Sequence, residues 1–270
     1  MSRTEQRNPK TMNFANESTT DMLKIINEEN MNSVNAVEAA IPQIAKAVDA
    51  VAAAFEKGGR LIYVGAGTSG RIAVMDAAEC PPTYGVDYNT VITVMAGGKE
   101  TMFRAAENQE DSVEAGREDL LAKDPKACDV VMGISASGNA AYVASAMMTA
   151  KELGCITISL SSNDECRIAE IADIPIFTDT GAEVITGSTR MKAGNAQKFV
   201  MNMISTCAMV KTGKVYENLM INLRPTNIKL RRRMIGIVSD VLEVDFDRAE
   251  ELLEENEFSI RKVFEKFGKV

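Results

Sequence analysis

Short apolar runs alternate with helix-like segments along the middle of the chain. Residues 69–79, 112–122, 140–153 and 164–171 are predicted to be helical. Five runs between these segments have the length and apolar content of strands, and they are Leu61–Val64, Val91–Met95, Asp129–Ile134, Ile156–Leu160 and Ile174–Phe177. Nearly continuous apolar strands are typical of a sheet that is covered on both faces. The alternation predicts an α/β fold with a five-stranded parallel sheet.

Helical patterns also flank this region. Residues 18–57 are interpreted as two helices, the first beginning at a capping-box-like Ser18 and the second ending at Gly58-Gly59. A long helix is predicted over about 194–216, and its apolar face is interpreted as core or dimer packing. Three predicted segments follow from these patterns, namely an N-terminal helical segment (1–57), a central α/β domain (58–226) and a small C-terminal helical subdomain of three short helices (227–270).

Composition excludes several functional classes. The 270 residues are 46% apolar and 25% charged, as in an ordinary globular protein, and no apolar run is long enough to span a membrane. A formal net charge of −8 argues against a general binder of nucleic acids or membrane surfaces. The five cysteines are scattered without a C-x-x-C pair, and the polar N-terminus lacks a signal-peptide core. We therefore expect a cytoplasmic protein.

The chain contains no histidine at all. This excludes zinc sites built from histidine and cysteine, and every mechanism that depends on a Ser-His-Asp or Cys-His arrangement. Acid–base chemistry then falls to Asp, Glu, Lys, Tyr or Cys. We expect neither a metal nor a cofactor.

The segment Gly65–Arg71 follows the first predicted strand and satisfies the G-x-G-x-x-G pattern of dinucleotide-binding folds. Such folds need an acidic residue at the end of the second strand to bind the ribose. Here that strand ends at Met95 and runs into Ala96-Gly97-Gly98, with Glu100 the nearest following acid. No Walker-type G-x-x-x-x-G-K-[ST] string occurs either. The context therefore argues against a nucleotide.

A second hydroxyl-rich loop favours a phosphosugar. Ser135, Ser137 and Asn139 follow another predicted strand, as Gly67, Thr68 and Ser69 follow the first. Hydroxyls and backbone N–H groups at the carboxyl ends of parallel strands suit a phosphate monoester. The alternative is that these residues only cap helices and form tight turns. Two such loops in one sheet favour ligand binding.

These loops resemble the sugar isomerase (SIS) domain, a phosphosugar-binding fold. Nearly the whole chain is similar to the N-acetylmuramic acid 6-phosphate etherase family. The motifs that carry the resemblance are Arg7-Asn8-Pro9, Asp76-Ala77-Ala78-Glu79-Cys80-Pro81-Pro82-Thr83, Ala96-Gly97-Gly98, Glu110-Asp111-Ser112, Gly187-Ser188-Thr189-Arg190-Met191-Lys192-Ala193-Gly194, Gly213-Lys214-Val215-Tyr216 and Asn218-Leu219-Met220. The resemblance implies a three-layer SIS-type sandwich.

The resemblance also implies an activity and a site. The family cleaves the D-lactyl ether of N-acetylmuramic acid 6-phosphate, giving N-acetylglucosamine 6-phosphate and D-lactate in cell-wall recycling. Its two catalytic glutamates match Glu79 and Glu110. The expected substrate-binding residues are those of the two loops together with Glu183, Ser188, Thr189 and Lys192, which follow the last strand. For Lys192 and the neighbouring Arg190, a structural salt bridge is the alternative to an anion site. SIS domains commonly pair, so a homodimer is expected.

The position of each glutamate suggests its role. Pro81-Pro82 is expected to end the helix that carries Glu79, and the negative end of a helix dipole favours the protonated form of a carboxyl group. Glu110 is expected at the start of a helix, where the ionised form is favoured. We therefore predict that Glu79 is the acid and Glu110 is the base that removes the C2 proton.

Two other functions remain open from the sequence. A non-catalytic phosphosugar sensor resembling the glucokinase regulatory protein would bind the sugar without cleaving it. An aldose–ketose isomerase would share the enolate chemistry but expel no leaving group. Release of D-lactate discriminates the etherase from both.

Overall fold

A five-stranded parallel sheet forms the centre of the protein. The computed structural model describes residues 3–106, 108–225 and 227–270. The strands are β1 (Leu61–Gly65), β2 (Val91–Met95), β3 (Val130–Ile134), β4 (Ile156–Ser161) and β5 (Ile174–Phe177). Their spatial order is β2-β1-β3-β4-β5, and every neighbouring pair is parallel. The predicted α/β class and the five strands are confirmed.

Nine α-helices lie within the described residues. They are α1 (Thr19–Glu56), α2 (Gly67–Tyr84), α3 (Val113–Leu121), α4 (Ala141–Glu152), α5 (Arg167–Ile171), α6 (Lys192–Lys211), α7 (Ile228–Leu242), α8 (Phe246–Glu255) and α9 (Ile260–Lys266). Helices α1, α2 and α6 pack on one face of the sheet, and α3, α4 and α5 pack on the other. The result is the expected three-layer sandwich. No helix in the described part of the chain is long and apolar enough to cross a membrane.

The pleat of β1 distributes its side chains between two cores. Leu61 and Tyr63 belong to the core shared with α1, α2 and α6, whereas Ile62 and Val64 belong to the core shared with α3, α4 and α5. All four side chains are fully buried. Alternate residues of a strand point to opposite faces, so a central strand with helices on both sides needs an uninterrupted apolar run.

The N-terminal helices differ from the prediction. Residues 19–56 form one helix of 38 residues with Pro42 inside it, where the sequence pattern predicted two. Buried residues continue on both sides of the proline, at Val37, Ala40, Ile44 and Ala47. Packing of this stripe against α6 keeps the chain helical despite the lost N–H donor. Tertiary contacts therefore override the local break.

The predicted helix over 194–216 is also displaced. Helix α6 begins at Lys192 and ends at Lys211. The residues that follow form a short antiparallel hairpin of β6 (Val215–Tyr216) and β7 (Leu219–Met220). Gly213, with a φ of +72°, turns the chain out of the helix.

The C-terminal helices α7, α8 and α9 enclose a separate core, which confirms three short helices. This core also includes Ile221 and Leu223, and the β6–β7 hairpin packs against it. It therefore begins before residue 227. The division of the chain into three segments stays a prediction, and its boundary residue Thr226, like Met1 and Ser2 of the N-terminal segment, lies outside the described residues.

A buried aspartate joins β1, α2 and α6. Asp76 is 5% exposed and accepts hydrogen bonds from the Tyr63 hydroxyl at 2.8 Å, Asn202 Nδ2 at 2.5 Å and Ser205 Oγ at 3.1 Å. Burial, and then the neighbouring Asp76 carboxylate, raise the pKa of Tyr63 well above its ordinary value, so its hydroxyl stays a donor. Asp76 thereby fixes the position of α2, the helix that carries the first glycine loop.

We expect Asp76→Ala to lower the free energy of unfolding by about 2–4 kcal/mol, because three buried donors lose their acceptor. Chemical denaturation at neutral pH measures this change. Glu38→Ala is the matched control, since Glu38 is an exposed carboxylate on α1 and its loss changes stability by less than about 0.5 kcal/mol. Equal stabilities of the two variants would contradict a structural role for Asp76.

Candidate active site

The two hydroxyl-rich loops lie side by side because β1 and β3 are neighbours. Gly65 pairs in register with Ile134, so both loops start at the same height on the carboxyl edge of the sheet. Together they line a cavity of about 260 Å³. Six of the predicted substrate-binding residues line it, and they are Gly67, Thr68, Ser69, Ser135, Ser137 and Thr189.

The glycines of the first loop are required by close packing. A Cβ on Gly65 would lie 2.8 Å from the Gly70 nitrogen, and a Cβ on Gly70 would lie 3.0 Å from the Gly65 oxygen. The first turn of α2 therefore rests directly on the end of β1. This contact brings Thr68 and Ser69 to the edge of the sheet and gives a physical reason for the G-x-G-x-x-G pattern without a nucleotide.

The second loop is held by its own hydroxyls. Ser135 Oγ accepts a hydrogen bond from the Gly138 N–H at 3.1 Å and lies 3.3 Å from Ser137 Oγ. Gly138 has a φ of +74°, and a Cβ there would lie 2.2 Å from the Cys166 sulfur. The turn is therefore preorganised, and both serine hydroxyls border the cavity.

Glu110 brings a carboxylate to the same cavity. It lies in a single 3₁₀ turn, Gln109–Asp111, directly before α3. Ser112 caps α3 by accepting a hydrogen bond from the Ala115 N–H at 3.2 Å. Glu110 thus lies just before the helix rather than in its first turn, close to the positive end of the helix dipole.

The N-terminal segment contributes two cavity residues that the sequence analysis missed. Thr4 and Glu5 line the cavity beside the loops. Arg3 anchors them by ion pairs to Asp164 at 3.3 Å and Asp179 at 2.6 Å. The only sequence signal for these two residues was the Arg7-Asn8-Pro9 motif shortly after them. Nothing in the local sequence indicates that this segment packs against a loop more than 150 residues away.

Glu79 is not among the residues that line this cavity. It is exposed on α2, and the helix continues through Pro81-Pro82 to Tyr84, so the predicted stop was wrong. Pro81 and Tyr84 are buried, and Gly85 ends the helix in the left-handed conformation while its N–H bonds to the Pro81 carbonyl at 2.9 Å. The helix dipole acts within the last turn of a helix, and Glu79 lies before the last turn of α2. The helix-end position on which its predicted role as the acid rested is therefore not observed.

Four other predicted site residues also lie away from the cavity lining. Asn139 is exposed, and its Oδ1 accepts a hydrogen bond from the Arg167 N–H at 3.2 Å. Ser188 is half-buried beside Thr189. Glu183 is fully buried and caps α6 by accepting hydrogen bonds from the backbone N–H groups of Lys192 and Ala193, at 3.1 and 2.9 Å.

Lys192 forms a buried ion pair instead of facing the cavity. Its Nζ lies 2.6 Å from Glu29 Oε2 on α1 and 2.7 Å from the Ala182 carbonyl oxygen. Asn8 donates to the same Glu29 oxygen at 2.8 Å, which ties the N-terminal segment to this pair. The cluster thus joins α1, the start of α6 and the segment that holds Thr4 and Glu5.

Burial raises the pKa of both acids of this cluster, but the net shifts of the two pKa values are opposite. Burial alone raises the pKa of Glu29, but hydrogen bonds from Lys192 and Asn8 outweigh it and hold the pKa below the ordinary value. For Glu183, burial raises the pKa and the backbone hydrogen bonds offset only part of the rise. Among the described residues, no group of three or more His, Cys, Asp or Glu side chains is arranged to hold a metal ion.

Comparisons with known proteins point to one family. Residues 43–151 match the family model described as the glucokinase regulatory protein N-terminal SIS domain. The chain is 48% identical over 258 residues to an N-acetylmuramic acid 6-phosphate etherase from Clostridium beijerinckii, covering 96% of this chain and 85% of that protein. It is 50% identical over 261 residues to the protein of that name from Caldanaerobacter subterraneus subsp. tengcongensis, covering 96% and 84%.

Solved structures support the fold. A phosphoheptose isomerase from Neisseria gonorrhoeae superposes with a TM-score of 0.55 at 20% identity, covering 71% of this chain and 98% of that one. A phosphoheptose isomerase from Francisella tularensis gives 0.53 at 19% identity, covering 74% and 100%. At these identities the likeness concerns the fold alone.

We expect Lys192→Met to lower the free energy of unfolding at pH 7 by about 3–5 kcal/mol, because Glu29 stays buried without its cation. The ionised Glu29 stabilises the fold above its ordinary pKa, and this contribution is lost as pH falls through its lower folded-state pKa. The deficit of the variant should therefore shrink as the pH falls towards 4. Denaturation at both pH values measures it.

Lys10→Met is the matched control for this experiment. Lys10 also pairs with Glu29, at 3.3 Å, but its side chain is 75% exposed. Its loss should change stability by less than about 1 kcal/mol. A Lys192→Met deficit that is independent of pH would contradict the assigned ion pair.

Proposed function

The chain belongs to the N-acetylmuramic acid 6-phosphate etherase family, and on that premise we propose how its own residues bind the substrate and divide the chemistry. The protein cleaves the D-lactyl ether of N-acetylmuramic acid 6-phosphate to N-acetylglucosamine 6-phosphate and D-lactate. The observation that carries this function is identity of 46–50% to etherases along nearly the whole chain. The remaining proposals concern mechanism, site residues, assembly and compartment.

The two loops bind the phosphosugar. Thr68, Ser69, Ser135 and Ser137 bring hydroxyl groups to the lining of one cavity. Gly67 lines it too and is the first residue of α2, where backbone N–H groups have no acceptor within the helix. Such donors suit a phosphate monoester and sugar hydroxyls. Thr189 completes the lining from the segment before α6. Asn139 and Ser188 each adjoin a lining residue in sequence and remain proposed contacts of the bound sugar.

Glu183 and Lys192 hold in place the parts of the chain that surround the cavity. Their buried contacts fix the start of α6 and, through Asn8, the N-terminal segment beside the cavity. This supports a positioning role for the two residues rather than a contact with substrate.

The reaction begins at C2 of the open-chain sugar. The proton there is acidic because C2 lies beside the C1 aldehyde, and its removal gives an enolate. Collapse of the enolate expels the lactate oxygen from C3 and leaves a C2–C3 double bond, to which water then adds. One group must remove the C2 proton and another must protonate the departing oxygen.

Glu110 is the proposed base. It borders the phosphosugar cavity from the turn just before α3, and it matches the second catalytic glutamate of the family motif. Glu79 is the proposed acid, on the ground of its family motif. No step of this scheme requires a cofactor.

A homodimer would change the surroundings of Glu79. Exposed apolar side chains lie on all three helices of its layer, and they are Leu23, Met31, Val34 and Ile41 on α1, Met75 on α2 and Phe199, Met203 and Val210 on α6. Glu79 lies one turn after Met75 on the same exposed face of α2. A second copy that covers this face would take Glu79 out of water.

The proposed compartment is the cytoplasm. Five free cysteines are present, three of them buried. Unpaired thiols persist in a reducing environment.

We expect wild-type protein to release D-lactate from N-acetylmuramic acid 6-phosphate and to exchange the C2 proton with solvent deuterium. Glu110→Gln should lose both activities, by about 10²–10⁴-fold, because the base is removed. Glu79→Gln should retain C2 exchange while losing lactate release. An enzymatic lactate assay and proton NMR in deuterium oxide measure the two activities.

Glu114→Gln is the control, because Glu114 is exposed in the first turn of α3 and outside the cavity lining. Continued exchange by Glu110→Gln would overturn its role as base. Binding of the sugar phosphate by wild-type protein without lactate release would indicate a sensor instead.

We expect Met203→Glu to shift the sedimentation of the protein from two chains to one, because it places a charge in the apolar face of α6. Met148→Glu is the matched control. Met148 is 46% exposed against 40% for Met203, but it lies on α4, on the other side of the sheet. A monomeric wild type, or dissociation by both substitutions, would contradict the proposed interface.

A further inference from the structure

A second cavity lies on the other side of β1. It has a volume of about 190 Å³ and shares Ala66, Gly67 and Glu110 with the phosphosugar cavity. Its remaining lining comes from Arg71 on α2 and from the segment after β2, which includes Asn108 and Gln109. Since β1 lies between β2 and β3, the two cavities occupy the crevices on either side of one strand end.

Arg71 is fixed in this second cavity by backbone carbonyls. Its Nε donates to the Met102 oxygen at 3.1 Å, and its Nη2 donates to the Thr101 oxygen at 2.6 Å. The Thr101 hydroxyl in turn donates to the Ala96 and Gly98 oxygens at 2.9 and 2.7 Å, which holds the segment in place. The guanidinium is therefore oriented before any ligand arrives.

The charge of Arg71 has no counterion among the residues that the structure describes. No described carboxylate forms an ion pair with it, and its Nη1 makes no hydrogen bond to a described residue. An arginine stays protonated at every physiological pH, and a half-buried cation without a partner is costly. A preoriented guanidinium with free donors beside a cavity is the arrangement that binds a carboxylate or a phosphate.

We propose that this second cavity is the leaving-group subsite, in which Arg71 binds the carboxylate of the lactyl ether. The proposal rests on the proposed function and adds to it a site for the second anion of the substrate. The phosphate at C6 and the carboxylate on the C3 ether are too far apart to share one set of donors. Two anion sites on either side of β1 meet that requirement.

Glu110 lies where the two cavities meet. With the sugar phosphate in the first cavity and the lactyl group in the second, the C2–C3 region of the sugar crosses this boundary. The carboxylate of Glu110 is then next to C2, while Arg71 holds the group that departs from C3. Arg71 thereby distinguishes the substrate from the sugar-phosphate product, which has no carboxylate.

The test compares three ligands in wild type and Arg71→Gln. The ligands are N-acetylmuramic acid 6-phosphate, its lactamide analogue with a neutral carboxamide in place of the carboxylate, and N-acetylglucosamine 6-phosphate as an inhibitor. Arg71→Gln should lower kcat/KM for the acid by about 100-fold. It should change kcat/KM for the lactamide by less than about 3-fold and leave the inhibition constant of the product unchanged, because neither ligand presents a carboxylate.

Arg104→Gln is the matched control, because Arg104 is an exposed arginine that adjoins the lining residue Ala105 in sequence and does not itself line the cavity. A parallel loss of affinity for N-acetylglucosamine 6-phosphate would place the phosphate at Arg71 and overturn the proposal. An equal loss for acid and lactamide would assign Arg71 a structural role and also overturn it.

Two measurements on wild-type protein distinguish failure of the Arg71 proposal from failure of the proposed function. Wild-type protein should itself prefer the acid to the lactamide by about 100-fold, and equal use of the two would overturn the proposal even if Arg71→Gln did not fold. Failure of wild-type protein to release D-lactate would instead contradict the proposed function, whatever Arg71 binds.

Discussion

The contact between the end of β1 and the first turn of α2 sets the geometry of the whole site. Neither Gly65 nor Gly70 has room for a side chain, so helix and strand meet backbone to backbone. This contact places free N–H groups and hydroxyls at the carboxyl edge of the sheet. It also opens a crevice on each side of β1, because the neighbouring strands diverge into separate loops. A glycine pattern associated with nucleotides therefore serves a phosphosugar, since the pattern encodes the close approach and not the ligand.

The charged side chains around this contact differ in how deeply they are buried. The deepest ionic group, Lys192 with Glu29, is satisfied internally and connects elements that are distant in sequence. Arg71, at intermediate depth, is oriented by carbonyls and keeps donors free. Glu110 lies nearer the surface, between the two cavities. Charged side chains whose hydrogen bonds are all made within the protein hold the scaffold together. Those that keep unused donors or acceptors line the ligand cavities.

Local patterns predicted the sheet well and the tertiary contacts poorly. Continuous apolar runs identify the central strands, because a strand such as β1 is buried on both faces. Helix α1 was mispredicted as two helices, and the end of α2 was placed too early, at Pro81-Pro82, where packing outweighs the local break. Glu110 was found through its family motif, and Glu5 was missed, because its place at the cavity depends on ion pairs formed by Arg3 with loops far along the chain. The sequence left Lys192 open between an anion site and a structural salt bridge, and its partner Glu29 lies too far along the chain for local patterns to identify it.

The N-terminal anchor has a consequence for how the protein folds. Arg3 and Asn8 contact residues 160–176 positions away, including Asp179 and Ala182. Closing so long a loop costs entropy that local contacts do not repay, so these contacts form only once the sheet and α6 provide a surface. We expect Thr4 and Glu5 to reach the cavity last. The cavity is complete only in chains whose slowest contacts have formed, which couples substrate binding to the completion of folding.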